Sequence, residues 1–283
     1  MQIVRTVKEM QQIAGQFRLA GKKIGFVPTM GYLHNGHLSL MDIARPKCDV
    51  LVVSIFVNPT QFGPNEDLDK YPRDFENDEK LCRERNVDII YYPETVEMYP
   101  KPYFTFITTK EITEPLCGEK RPGHFDGVTT VVGKLFNIVK PHFAVFGSKD
   151  YQQALVIKTM VKDLNFDIEI ITGEIIRESD GLAMSSRNKY LSADERKSAL
   201  ILSQSLKKAQ QMLDDGINDA AEILEILQTD IQNTPHCKID YVEIVDSQTL
   251  RPLNKIKTEA LLALAVFVGS TRLIDNCILT VKN

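Results

Sequence analysis

The sequence predicts an α/β fold: a parallel sheet with helices on both faces, then a smaller α+β domain with antiparallel strands. Three observations carry this. Short apolar runs alternate with stretches of helical periodicity as far as residue 171. Several of those runs end in glycine-bearing polar clusters. From about Ile175 the pattern changes to two long helical stretches and then three consecutive strand-like runs. The expected domains are residues 1–175 and 176–283.

Taken in order, residues 4–20 set Val7, Met10, Ile13, Phe17 and Leu19 at helical spacing, so a helix leads in. Strands are expected at 23–27, 50–57, 87–92, 143–146 and 166–171, with helices at 37–44, 74–85, 128–139 and 152–164. Strands alternating with helices of this length argue for a parallel sheet covered on both faces, with ligands beyond the carboxyl ends of the strands. After a polar, basic loop at 183–190, helices are expected at 193–214 and 219–232, and strands at 238–245, 261–268 and 272–281. The proline-bearing loops 59–72 and 93–102 are expected near the mouth of the site.

Composition excludes several classes. The chain has 283 residues, 43% hydrophobic and 25% charged, which fits a globular protein with a substantial core. Its net charge of −4 argues against nucleic acid as a partner. Five scattered cysteines (Cys48, Cys82, Cys117, Cys237, Cys277), none in a C-x-x-C pair, argue against a disulfide framework or a zinc knuckle. The first ten residues lack the layout of a secretory signal, and no apolar run approaches the ~20 residues of a membrane span. The expectation is a cytoplasmic protein without a membrane partner.

Five clusters carry candidate chemistry. Pro28-Thr29-Met30-Gly31-Tyr32-Leu33-His34-Asn35-Gly36-His37 follows the first long strand. Two imidazoles at a helix opening, beside unpaired backbone N–H groups and the positive end of the macrodipole, suit phosphate. Gly31 and Gly36 allow close backbone approach. A zinc site lacks a third ligand in this stretch. Asn58 and Gln61, after the next strand, offer neutral amides to a small substrate rich in oxygen; a turn built on Asn58-Pro59 is the competing reading. Arg121-Pro122-Gly123-His124-Phe125-Asp126-Gly127-Val128 precedes an expected helix opening after Asp126-Gly127; Arg121 and His124 gain no role from sequence. Phe146-Gly147-Ser148-Lys149-Asp150-Tyr151-Gln152-Gln153 supplies a compact cation in Lys149, a cap or ribose ligand in Asp150, and an amide in Gln153. Met184-Ser185-Ser186-Arg187-Asn188 adds two hydroxyls and a guanidinium suited to β- and γ-phosphates, or is merely a polar loop.

The His-x-Gly-His spacing resembles the nucleotidylyltransferase superfamily, and the five clusters in this order and spacing resemble the pantoate–β-alanine ligases, over residues 1 to 283. The resemblance implies a Rossmann-like nucleotide- and pantoate-binding domain and a C-terminal lid domain. It implies ATP-dependent ligation of (R)-pantoate and β-alanine to pantothenate through a pantoyl adenylate, releasing AMP and diphosphate. His34, His37, Lys149 and Arg187 would be catalytic, with proton donation by His37. Gln61, Gln153 and Asn58 would hold pantoate, Gln61 also touching β-alanine. Pro28, Thr29, Met30, Gly31, His34, Gly36, His37, Gly147, Ser148, Lys149, Asp150, Ile176, Met184, Ser185, Ser186 and Arg187 would bind ATP, with Met30, Gly147, Asp150 and Ile176 near adenosine. Mg²⁺ would ride chiefly on the phosphates, with no protein ligand assigned, and the chain would form a homodimer. Two alternatives remain at this stage: a nucleotidyltransferase acting on a phosphorylated acceptor, which would want cations where Asn58 and Gln61 stand, and a nucleotide-binding regulator without turnover.

Overall fold

In the computed structural model, strands β1 (Gln2–Val4), β2 (Ile24–Thr29), β3 (Val50–Ile55), β4 (Ile89–Tyr91), β5 (Phe143–Gly147) and β6 (Glu169–Gly173) form one parallel sheet. Its order is β1-β4-β3-β2-β5-β6, and the structure describes residues 1–64 and 66–282. The helices up to this point are α1 (Val7–Leu19), α2 (Asn35–Ala44), α3 (Phe75–Glu84), α4 (Thr95–Met98), α5 (Cys117–Lys120), α6 (His124–Val139) and α7 (Tyr151–Asp163).

Burial explains the near-continuous apolar runs. Phe26, Val27, Leu51, Val52 and Val53 have no solvent exposure, as central strands covered on both faces require. Val27, Leu51 and Val53 pack with Leu38, Met41 and Ala44 of α2 and Cys82 of α3. Helices α1 and α6 pack on each other and on β2. From β2 the chain builds toward β3 and β4 on one side, then restarts at β5 on the other. This makes the carboxyl ends of β2 and β5 the point where strand order reverses, the usual ligand crevice of such sheets.

The chain divides into two compact units. The first comprises Met1–Lys110, Arg121–Ser148 and Gln152–Glu174; the second comprises Glu111–Lys120, Lys149–Tyr151 and the chain from Ile175 onward. The division is therefore not the single cut at 175 that sequence suggested. In the second unit β7 (Cys237–Val245), β8 (Glu259–Val268) and β9 (Thr271–Thr280) form an antiparallel sheet with β8 in the middle. Helices α8 (Ala193–Ala199), α9 (Ile201–Asp214) and α10 (Ala220–Asn233) precede it, α9 packing on β9 and α10 on β7. Their common core includes Leu206, Leu213, Ile223, Leu227, Val242 and Leu264. The two early strips are bonded into this unit. Asn276 donates to the Lys149 carbonyl at 2.8 Å, Tyr151 donates to the Ser247 carbonyl at 3.0 Å, and the Cys117 thiol lies 3.3 Å from the Tyr241 hydroxyl.

Some expected elements differ. Val4, assigned to the leading helix, belongs to edge strand β1, and Thr6 caps α1 by accepting from the Glu9 amide. Helix α6 opens at His124, with Gly123 left-handed at φ 80°, so Asp126 and Gly127 are helical. The single helix expected at 193–214 is two, α8 and α9, meeting at Leu200; Ser192 and Glu195 form a capping box at the start of α8. Among the described residues no helix is long and apolar enough to cross a membrane.

Candidate active site

The loop from β2 to α2 is held by its own side chains. Gly31 (φ 80°) and Tyr32 (φ 51°) are consecutive left-handed residues, a conformation costing roughly 1–2 kcal/mol at Tyr32. Successive amides find side-chain acceptors: Gly31 N–H donates to Thr29 Oγ1 at 3.1 Å, Tyr32 N–H to Asp78 Oδ2 at 2.8 Å, and Leu33 N–H to Asp78 Oδ1 at 2.7 Å. His34 N–H donates to His37 Nδ1 at 3.3 Å, and Gly36 N–H returns to His34 Nδ1 at 3.2 Å. The pair is thus a capping box built from two histidines, with ring centroids 4.1 Å apart.

Two consequences follow. Each Nδ1 accepts, so each ring carries its proton on Nε2 and presents that N–H as its donor. The expectation of several unpaired backbone N–H groups here is corrected. The His37 and Leu38 amides also donate, to the His34 carbonyl. An anion at this turn is therefore addressed mainly by imidazole rather than by backbone.

Asp78, in α3, escaped the sequence reading. It is 1% exposed, and burial pushes its carboxyl above the ordinary range, against the two amide hydrogen bonds. One signal was available: Phe75, Asp78 and Cys82 share a helix face, so a carboxylate sits on an apolar stripe.

After β3, Asn58 caps a 3-10 turn at Pro59–Gln61. Asn58 is 1% exposed; its Nδ2 donates to the Gly127 carbonyl at 3.1 Å, and its Oδ1 accepts from Thr60 Oγ1 at 3.0 Å and Tyr99 Oη at 2.9 Å. Burial pushes the Tyr99 phenol up to about 12, so it remains a donor at any working pH. Gln61 differs. It is 8% exposed, and its side-chain amide makes no hydrogen bond to another described residue. Its backbone is tethered: the Gln61 carbonyl lies 3.1 Å from Arg121 Nη2 and 2.9 Å from His124 Nδ1, and both of these nitrogens point at it. Arg121 also grips Glu66 with two bonds of 2.8 and 2.6 Å. Burial alone would raise the Glu66 carboxyl, but the Arg121 bond and charge hold it below its usual range. Arg121, which gained no role from sequence, is therefore a tether, and Gly127 of α6 lets that loop approach closely.

At the end of β5, Ser148 Oγ donates to the Gly173 carbonyl at 2.7 Å. Gln153, in α7, is half-buried, and its amide makes no hydrogen bond to another described residue. The first unit thus brings His34, His37 and Gly147–Ser148 to the reversal point of the sheet, and Asn58 and Gln61 to the neighbouring strand end.

The remaining candidates belong to the second unit. Lys149 is half-buried, and its ammonium pairs with no other described residue; Asp150 is exposed. The Ile176 carbonyl accepts from the Met184 amide at 2.9 Å, and Ser185 caps the turn Ser186–Tyr190 by accepting from Arg187 N–H at 3.2 Å. Among the described residues no group of three or more His, Cys, Asp or Glu is placed to hold a metal.

Comparison with known proteins follows the same outline. A family model described as Pantoate-beta-alanine ligase matches residues 2–278. The pantothenate synthetase of Thermotoga neapolitana is 56% identical over 279 residues, covering 99% of this chain and 100% of the relative. That of Caldicellulosiruptor bescii is 53% identical over all of both chains. Among solved structures, pantothenate synthetase from Thermus thermophilus superimposes with a TM-score of 0.92 at 43% identity, covering 98% of this chain and 99% of the other. The pantoate-beta-alanine ligase of Francisella tularensis, complexed with beta-gamma ATP and beta-alanine, gives 0.83 at 38% identity, covering 98% and 97%.

Proposed function

The chain belongs to the pantoate–β-alanine ligase family, and from that premise we propose how its residues carry the ATP-dependent condensation of pantoate with β-alanine. It is an enzyme, a ligase. The carboxylate of (R)-pantoate attacks the α-phosphorus of ATP; a new P–O bond forms, the bond to the bridging oxygen breaks, and diphosphate leaves. The amine of β-alanine then attacks the acyl carbon of pantoyl adenylate, and AMP departs with the former carboxylate oxygen. Adenylylation is needed because a carboxylate has no competent leaving group of its own.

Such chemistry asks for positioning and for charge stabilisation. His34 and His37 present Nε2–H hydrogen-bond donors to the charge developing on the phosphates; with its Nδ1 accepting the His34 amide, His37 stabilises that charge and keeps its proton, in place of the proton donation the resemblance implies. Lys149, Arg187, Ser185 and Ser186 bind phosphate oxygens. Lys149 suits this because its half-buried ammonium pairs with no described carboxylate. Pro28, Thr29, Met30, Gly31, Gly36, Gly147, Ser148, Asp150, Ile176 and Met184 complete the contacts to ATP. Gln61 and Gln153 hold pantoate through amides, which orient a carboxylate without blunting its nucleophilicity as a lysine would. Asn58, fully engaged within its loop, serves by setting where Gln61 stands.

The observation that carries this reading is Gln61: a nearly buried amide with no described partner, on a loop anchored by Asn58, Arg121 and His124. Mg²⁺ would be carried chiefly by the ATP phosphates and water and would neutralise charge there, with no protein ligand assigned.

A homodimer is supported by Phe104 and Phe106, 84% and 58% exposed on neighbouring positions, and sedimentation tests it. A cytoplasmic location rests on the sequence pattern of five scattered cysteines, none in a C-x-x-C pair. The central test mixes the protein with ATP, Mg²⁺, pantoate and β-alanine and follows products by mass spectrometry. Diphosphate should require pantoate, and AMP with pantothenate should require β-alanine as well. Diphosphate release without pantoate overturns the reading.

A further inference from the structure

The catalytic histidines stand at the end of a loop whose conformation needs an external support. Gly31 and Tyr32 are both left-handed, and an ordinary tyrosine does not stay there unaided. Close packing does not supply the whole support. A cavity of about 310 Å³ borders Met30, Gly31 and Tyr32 on one side, with Asp78 in its wall. What spans the gap is the Asp78 carboxylate, one oxygen to each of two successive amides, at 2.8 and 2.7 Å. The next amide, of His34, is the one that donates to the His37 ring.

We propose that Asp78 is a positioning residue for adenylate formation, fixing through the Tyr32 and Leu33 amides where the His34 and His37 imidazoles stand. This rests on the reading that those imidazoles act on the phosphates. The residue type argues for it. Each of the two amides meets a different oxygen of the side chain, an arrangement that an ionised carboxylate satisfies on both sides; an asparagine in the same pose would turn an N–H₂ toward one of them. Space constrains the pair too. A Cβ on Gly31 would come within 3.0 Å of Asp78 Oδ2 and 2.9 Å of Ile55 Cγ2, so loop and carboxylate fit only with glycine there.

The test is Asp78→Asn in the full chain, assayed for diphosphate formation with ATP and pantoate varied separately, beside His37→Ala and the double variant. The expected result is a kcat loss of roughly 10- to 100-fold with either KM changed less than about threefold. The double variant should be no more than about threefold slower than His37→Ala alone, because Asp78 acts through the histidines. Wild-type turnover by Asp78→Asn, or losses that multiply in the double variant, overturns the proposal. Wild-type turnover by His37→Ala instead defeats the reading on which it rests. Should Asp78→Asn fail to fold, amide exchange on the unaltered protein decides: slow exchange at Tyr32 and Leu33 supports the clamp, and free exchange at both refutes it.

Discussion

Replacing Gly127 by alanine adds one methyl group in α6, and the structure says where it goes. The new Cβ would run into the Thr60 carbonyl, with Thr60 C at 2.6 Å and Gln61 N at 2.9 Å, where ordinary contact begins at 3.4 Å. Backbone cannot rotate away as a flexible side chain can. The turn carrying Gln61 must therefore retreat by roughly 1 Å, or α6 must yield, and a 1 Å misplacement of a substrate-holding group costs on the order of 100-fold. The Asn58 bond to the Gly127 carbonyl, at 3.1 Å, is strained by the same shift. Stability should fall less than activity: overpacking costs about 1–3 kcal/mol, offset by about 1 kcal/mol of helix propensity gained over glycine. The assay is steady-state diphosphate release, with pantoate varied at saturating ATP and then the reverse, alongside calorimetric titration of ATP. We expect kcat/KM for pantoate to drop about 100-fold while the ATP isotherm is little changed. A folded Gly127→Ala variant with wild-type kinetics toward pantoate would refute the argument that this glycine sets the loop.

Three further outcomes are expected. His37→Ala and Lys149→Ala should each slow adenylate formation by roughly two to four orders of magnitude in single-turnover diphosphate assays, the scale of losing a transition-state donor. Gln61→Ala should raise KM for pantoate at least about tenfold and leave ATP binding near normal, as removal of one specific polar contact implies; an equal effect on both substrates would assign the residue elsewhere. His142 tests pH. Its Nδ1 accepts from Ile24 N–H at 2.9 Å, while burial and the nearby Arg18 charge hold its imidazolium below the ordinary range. A histidine depressed in the folded state contributes stability above its unfolded value near 6.5, lost as pH falls toward its folded one. Chemical denaturation from pH 7 to pH 5 should therefore show a shallower acid slope in His142→Gln than in the parent.

What sequence could and could not reveal follows from physical range. The long strands β2 and β3 and the antiparallel β8 were legible because they carry nearly unbroken apolar runs, β7 and β9 because apolar residues recur among polar ones, and the candidate clusters because each is contiguous in the chain. Edge strand β1 was not, since three residues carry no periodicity and Val4 also fits a helical stripe. The helix is expected only after Asp126-Gly127 because that pair usually breaks regular structure. Here the glycine is kept for close approach across 67 residues of chain, which no local pattern encodes. The supports of the site were invisible for the same reason. Arg121 meets Glu66 55 residues away, and Asp78 meets Leu33 45 residues away. The candidate groups cluster in sequence; the groups that hold their loops do not.

The interleaved make-up of the second unit limits how the chain can be cut. A fragment starting at Ile175 would keep all three antiparallel strands but forfeit the Lys149 carbonyl that Asn276 binds, the Tyr151 hydroxyl on Ser247, and the Cys117 thiol beside Tyr241. Recombination that swaps everything past residue 174 between homologues would therefore graft a cassette missing parts of its own scaffold. Chimeras should tolerate such a junction only when the donor's 111–120 and 149–151 segments travel with it.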